Sequence, residues 1–333
     1  IEFTGVTEQP VASLLRNFSA PVNLVFDYSN DDLAFLIQHE TNGFNQWQAT
    51  QTLLERILLE DHKADTYIQA IKNTLPELVN KDPLLASRLF DVPSEGYLGS
   101  RIDTDYEPVK IQEQRNALIE KLARELGEFC KDTYLALDPD LQKEFSQAMG
   151  VRALKNIMLS MMARQGDETA FELAYQQYEA TGNMSERLGA LRVLVWNDAP
   201  QAEAALRDFY LRFKDEALSL DQWFTLQAAH PCATTETIQY LTSHVDYDLG
   251  VPNRIRSVSA GLNANPVNTW SFGVDHFIGL AKYLDEKNPI VGSRLLQVLS
   301  RWYTLAEPQR SEVKANLEAL KPQVKSKNVS ETL

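Results

Sequence analysis

Two cysteines in 333 residues, Cys130 and Cys232, are too few and too far apart for a disulfide framework, and neither lies in a CxxC or Cys/His spacing that would mark a structural zinc site. That usage fits a reducing compartment, and a cytoplasmic location is the expectation. Long apolar runs are missing as well: no stretch approaches the ~18 residues that a membrane-spanning helix requires. Positive charge is in short supply, with Lys plus Arg at 32 against Asp plus Glu at 46 and a formal net charge of −14. Such a surface repels phosphate backbones and anionic headgroups, which argues against nucleic acid or a membrane as partner.

The usual signatures of catalysis are absent too. The five histidines, His39, His62, His230, His244 and His276, never fall four residues apart, so no two imidazoles could reach one zinc from adjacent helical turns. HExxH, the P-loop pattern, GxGxxG and GxSxG do not occur, which removes the common metal site, phosphate cradle, dinucleotide fingerprint and nucleophile elbow. No metal or other cofactor is expected in this chain, and catalysis by it alone is not expected either.

What is present is mostly helical. Hydrophobic residues at 44% and charged residues at 23% are ordinary globular values, and the length allows one large domain or two ordinary ones. The first 28 residues differ from the rest: IEFTGV, then Val22, Leu24 and Phe26 alternating with Asn23, Val25 and Asp27, read as two short strands. Two strands make no stable sheet alone. Together with a start at Ile1 in mid-pattern, they suggest a piece of something longer, with a β remnant over 1–28 and a helical domain over 29–333.

From Ser29 onward, apolar residues recur at helical spacing. Ser29 with Asp32 makes a capping-box start, and segments follow at 44–59, 64–78, 111–135, from Pro139, 168–180, 185–195, 200–214, 220–229, 235–243 and 308–320. Residues 81–108 read as a loop and 321–333 as a frayed tail. A dozen or so antiparallel helices without a fixed repeat period predicts a mainly α, α-solenoid-like stacked array. The scattered tryptophans, Trp47, Trp196, Trp223, Trp270 and Trp302, and the group Met158, Met161 and Met162 read as core anchors.

Two helices carry the candidate chemistry. LGVPNRIRSVSAGL opens on Pro252, and NPIVGSRLL opens on Pro289, each proline suited to the first helical position. On the first helix Ile255, Val258 and Leu262 share a face, and Arg254 and Arg256 flank it on opposite sides, so the two cannot serve one ligand. Ser257, Ser259, Ala260 and Gly261 keep the helix thin enough for another backbone to approach. On the second, Val291, Leu295, Val298 and Trp302 form the apolar stripe, and Ile290 and Arg294 line its edge, with Arg294 expected half-buried. These arginines either pair with acids on neighbouring helices or form a basic spot that receives a carboxylate.

Five phrases then resemble, in order along nearly the full length, the C-terminal part of the bacterial aminopeptidase N family of zinc-dependent gluzincins. They are SLLRNFSAPV (13–22), NQWQATQ (45–51), QWFTLQAAHP (222–231), PNRIRS (252–257) and NPIVGSRLL (288–296). The resemblance implies that residues 1–28 end a β-sandwich domain and that the remainder is a superhelical domain capping the active site. It also implies that the zinc lies in an upstream catalytic domain of the same polypeptide and that the substrate is a peptide. Arg256 and Arg294, with Asn253 and Ile290 beside them, would then line the substrate cavity. Two departures bear on that transfer: Ile290 stands where relatives often have glutamine, and Leu262 stands where an aromatic is common, in a stretch one residue shorter. The other reading is a non-catalytic helical scaffold that binds peptides or proteins, from which an orphan strand pair at the start would distinguish the capping domain.

Overall fold

The computed structural model describes residues 4–22, 24–141 and 144–333. Among them eighteen α-helices follow one another. The first nine are α1 (Asn30–His39), α2 (Gly43–Leu59), α3 (Asp65–Lys81), α4 (Pro83–Arg88), α5 (Glu95–Ser100), α6 (Pro108–Ala136), α7 (Phe145–Ala163), α8 (Glu168–Ala180) and α9 (Met184–Trp196). The rest are α10 (Ala202–Phe213), α11 (Ala217–Ala228), α12 (Thr235–Thr242), α13 (Pro252–Asn263), α14 (Pro266–Trp270), α15 (Gly273–Leu284), α16 (Pro289–Leu296), α17 (Gln309–Leu320) and α18 (Lys327–Ser330). The chain is mainly α, as the periodicity predicts, and no strand occurs among the described residues.

Short polar side chains start many of these helices. Ser29 and Asp32 close a capping box on α1, and Asn42, Asn265 and Asn288 each accept a backbone N–H in the first turn of α2, α14 and α16. Each such cap is worth about 1 kcal/mol, because it satisfies an amide that the helix itself cannot. Pro252 and Pro289 occupy the opening turns of α13 and α16. α14 and α15 are not foreseen by the sequence reading, and α4 and α5 lie inside the stretch read as loop. Pro139 opens only a 3-10 turn, Pro139–Leu141, and the long helix starts at Phe145; residues 142 and 143 lie outside the described residues.

The chain divides into two compact units, Ile1–Pro93 with Arg115–Ala190, and Ser94–Gln114 with Leu191–Leu333. In the first, α1 lies on α2 and α3, α4 on α7, and α7 on α8. Leu33, Ile37, Leu53, Leu54, Leu58, Ile71 and Leu75 are almost wholly buried there, and Met158, Met161 and Met162 join the core as expected. At roughly 1.5–3 kcal/mol for each large apolar side chain removed from water, this stripe packing, rather than helix propensity, holds the unit together.

Residues 4–22 and 24–28 do not form the two strands expected of them. One 3-10 turn, Arg16–Phe18, is their only regular structure, and Ile1, Glu2, Phe3 and Asn23 lie outside the described residues. A strand needs a neighbour to complete its ladder; here side chains take over that role. The Glu40 carboxylate accepts the Ser13 hydroxyl and the Thr41 and Asn42 amides, the latter two at 2.7 Å, and lies 3.2 Å from Arg16. Burial alone would raise the Glu40 pKa, yet these donors hold it below the usual carboxylate range. Arg56 Nη1 donates to the Tyr28 carbonyl at 2.7 Å, and Tyr28 Oη donates to the Ala12 carbonyl at 2.9 Å. The strand pair is thus not available to separate a capping domain from a free scaffold.

In the second unit, α11 lies on α13, α13 on α14, α15 on α16 and α16 on α18. Residues 321–333 are not frayed. The buried Asp285 carboxylate accepts the Lys325 amide at 2.6 Å and the Ser326 hydroxyl at 2.5 Å, Ser326 caps α18, and Val329 is fully buried against Gly292. One buried valine and one buried carboxylate dock a segment whose composition is otherwise polar.

Candidate functional site

Helix α13 sorts its two arginines to different fates. Gly261 on its inner face sits so close to α11 that a Cβ added there would stand 2.7 Å from the Thr225 carbonyl oxygen and 2.7 Å from the Ala228 Cβ. Thr225 Oγ1 also donates to the Ser257 carbonyl at 3.0 Å. The thin face read from the sequence is therefore a close backbone approach, with Ile255, Val258 and Leu262 buried as expected.

Arg254 is drawn into the same interface. Its Nε donates to Asp221 Oδ1 at 2.7 Å, a second nitrogen donates to the Asp246 carbonyl, and its guanidinium lies 5.1 Å from the centre of the Phe224 ring. Buried and paired, it is a structural arginine. Arg256, two positions on, is exposed, and its one hydrogen bond among the described residues is a 3.3 Å donation from Nη1 to Asn253 Oδ1, itself exposed. The structure thus brings Asn253 and Arg256 together at the surface of α13.

On α16, Gly292 faces α15, 3.2 Å from the Leu284 Cβ when a Cβ is built on it. At 100° per residue, Ile290 and Arg294 fall nearly opposite Gly292 and close to each other. Ile290 is 55% exposed, and Arg294 is exposed rather than half-buried. The expected burial fails because the residues that α16 buries, Val291, Leu295 and Leu296, turn the Arg294 edge outward. Among the described residues Arg294 has no hydrogen bond or ion pair, and none joins the α13 pair to the α16 pair.

One neighbour escapes motif reasoning. Ser259 lies three residues beyond Arg256 on α13, and its hydroxyl is 3.4 Å from Nε2 of His276 on α15. A lone histidine carries no sequence spacing to flag it. Burial drives the His276 pKa down to about 4 from 6.5. The folded protein therefore resists a proton that the unfolded chain accepts below pH 6.5, so stability falls as the solution is acidified from pH 6.5 towards 4. Urea unfolding should show a loss of about 1 kcal/mol between pH 6.5 and pH 5, less than the full linkage because the ring retains some contact with water. An unchanged pH slope in His276→Gln would show that another group is responsible.

No group of three His, Cys, Asp or Glu among the described residues could hold a metal ion. No helix among them is long and apolar enough to cross a membrane. Both cysteines are free, Cys130 buried and Cys232 exposed, and burial pushes the Cys130 thiol up to about 12.

A family model described as a domain of unknown function (DUF3458_C), ARM repeats, matches residues 30–333. Aminopeptidase N of Escherichia coli is 30% identical over 338 residues, covering 96% of this chain, and aminopeptidase N of Caulobacter vibrioides is 29% identical over 343 residues. The chain spans 38% of the length of each. A crystal structure of Legionella pneumophila aminopeptidase A in complex with aspartic acid superposes with a TM-score of 0.85 at 24% identity, over 99% of this chain and 41% of that one. At that identity the likeness is one of fold.

Proposed function

The chain belongs to the DUF3458_C family of ARM-repeat domains, and from that premise we propose that it is the C-terminal helical domain of a zinc aminopeptidase that removes N-terminal residues from peptides. In this reading an upstream catalytic domain of the same, cytoplasmic polypeptide would hold the zinc, and a zinc bound there would supply the Lewis acidity for carbonyl polarisation and water activation. That domain, and not residues 1–333, would supply the metal ligands. Residues 1–28 would belong to a β-sandwich domain completed elsewhere in the polypeptide, and residues 29–333 would cap the active site.

The observation that carries the reading is the contrast among the arginines. Arg254 is buried and ion-paired, whereas Arg256 and Arg294 are solvent-open guanidinium groups with no carboxylate on either among the described residues, in a chain of 46 acids. A guanidinium fork left open is suited to a bidentate hold on a carboxylate, here the C-terminal end of a peptide. Asn253 steadies Arg256, and Ile290 offers apolar contact beside Arg294.

The test compares two substrates in the complete polypeptide. Arg256→Ala or Arg294→Ala should lower kcat/KM for a tripeptide about ten-fold, equivalent to about 1.4 kcal/mol, while alanyl anilide, which lacks the downstream carboxylate, changes less than about two-fold. Equal losses on both substrates would remove the anion-receiving role.

A further inference from the structure

A cleft of about 430 Å³ opens in the first unit, far in sequence from both arginine helices. Its walls are Phe44 and Trp47 from the first turns of α2, and Leu84 and Leu85 from α4; its rim carries Asp82, Arg88 and Asp91. The two aromatic rings lie 5.7 Å apart between centroids. Gly43 closes one end, where an added Cβ would come within 3.2 Å of the Leu85 side chain.

The rim charges are unequally committed. Arg88 Nη1 is 3.0 Å from Asp91 Oδ2, so the cation is already answered by a carboxylate. Asp82 caps α4 by accepting the Leu85 amide on Oδ1 at 3.0 Å, and its other oxygen has no partner among the described residues. Among those residues the Trp47 indole N–H likewise lacks a hydrogen-bond acceptor, although its ring contacts Phe44. The cleft therefore combines an apolar trough, two aromatic faces, one open carboxylate and one open donor.

We propose that this cleft binds the basic side chain of a peptide, lysine or arginine. The methylene stem lies along Leu84 and Leu85, the cationic head meets Asp82 beside the Phe44 and Trp47 rings, and a peptide carbonyl accepts the Trp47 N–H. An aromatic face attracts a cation within about 6 Å, and a carboxylate at the same place strengthens it. The volume lies within the range of small-ligand sites. The rim and the chain as a whole are net acidic, so charge complementarity favours a cation over an acidic or neutral side chain.

The experiment is an NMR titration of this chain with N-acetyl-lysine amide, its neutral isostere N-acetyl-norleucine amide, and N-acetyl-glutamate amide. The readout is the Trp47 indole N–H resonance, assigned by its loss in Trp47→Phe. Asp82→Asn removes the charge and keeps the helix cap, since asparagine caps as well as aspartate. The lysine amide should shift the Trp47 resonance and bind about ten-fold more tightly than norleucine amide, and Asp82→Asn should abolish that preference. Equal affinity for lysine and norleucine, an unchanged preference in Asp82→Asn, tighter binding of glutamate, or no shift at millimolar ligand would each overturn the site.

Discussion

Asp221→Ala is expected to lower the unfolding free energy by about 3–5 kcal/mol, because it leaves the buried Arg254 guanidinium without its counter-charge. The pair is 8% and 15% exposed at its side chains, with Nε and Oδ1 2.7 Å apart. Among the described residues what remains to Arg254 is one backbone carbonyl and the Phe224 ring, which cannot replace a carboxylate. The attraction between the charges need not be large for this result; the cost arises from stranding one of them away from water. Replacing both residues, Asp221→Ala with Arg254→Met, should therefore recover much of the loss. Urea midpoints for the two variants decide the matter. A drop below about 1 kcal/mol in Asp221→Ala would show that water reaches Arg254 and that the pair is a surface contact.

The second large effect concerns the sign of a conservative change. In an open helix Gly→Ala stabilises by about 1 kcal/mol through backbone entropy. At position 261 the new methyl would meet a backbone oxygen and a Cβ of α11, each at 2.7 Å, and neither belongs to a flexible side-chain end. Helices α11 and α13 must separate, which breaks the packing of Ile255, Val258 and Leu262 and the Thr225 to Ser257 bond. Gly261→Ala should thus destabilise by about 2–3 kcal/mol, the upper part of the overpacking range. Gly279 on α15 has nothing within 4 Å of an added Cβ, so Gly279→Ala is the internal control and should stabilise slightly. A rise in melting temperature for Gly261→Ala would mean that the helices are not in contact at this point.

How far the sequence reaches can be judged at single residues. The starts of α13 and α16 are legible because Pro252, Pro289 and Asn288 act locally, within one turn, and local chemistry is printed in neighbouring letters. The core faces of both helices follow for the same reason, since a period of 3.6 residues fixes which side chains share a side. The tail was not legible: 321–333 looks mostly polar, and it is the Asp285 carboxylate, some forty residues earlier, together with the burial of Val329, that makes it a docked segment. Residues 4–22 and 24–28 show the opposite limit, since no strand occurs among them. Alternation at Val22, Leu24 and Phe26 is a strand pattern, but a strand also requires a partner edge, which alternation cannot supply.

The arginines mark the limit most clearly. By itself the sequence determined that Arg254 and Arg256 lie on opposite flanks of one apolar stripe and that Arg294 borders another, because helical geometry depends on spacing alone. It could not determine which flank meets an acid. That was decided by the tertiary structure, in which α11 brings Asp221 to Arg254 across 33 residues of chain and leaves Arg256 and Arg294 facing solvent. The physical reason is that burial and charge pairing are properties of the gap between two helices, and a gap exists only once both have been placed.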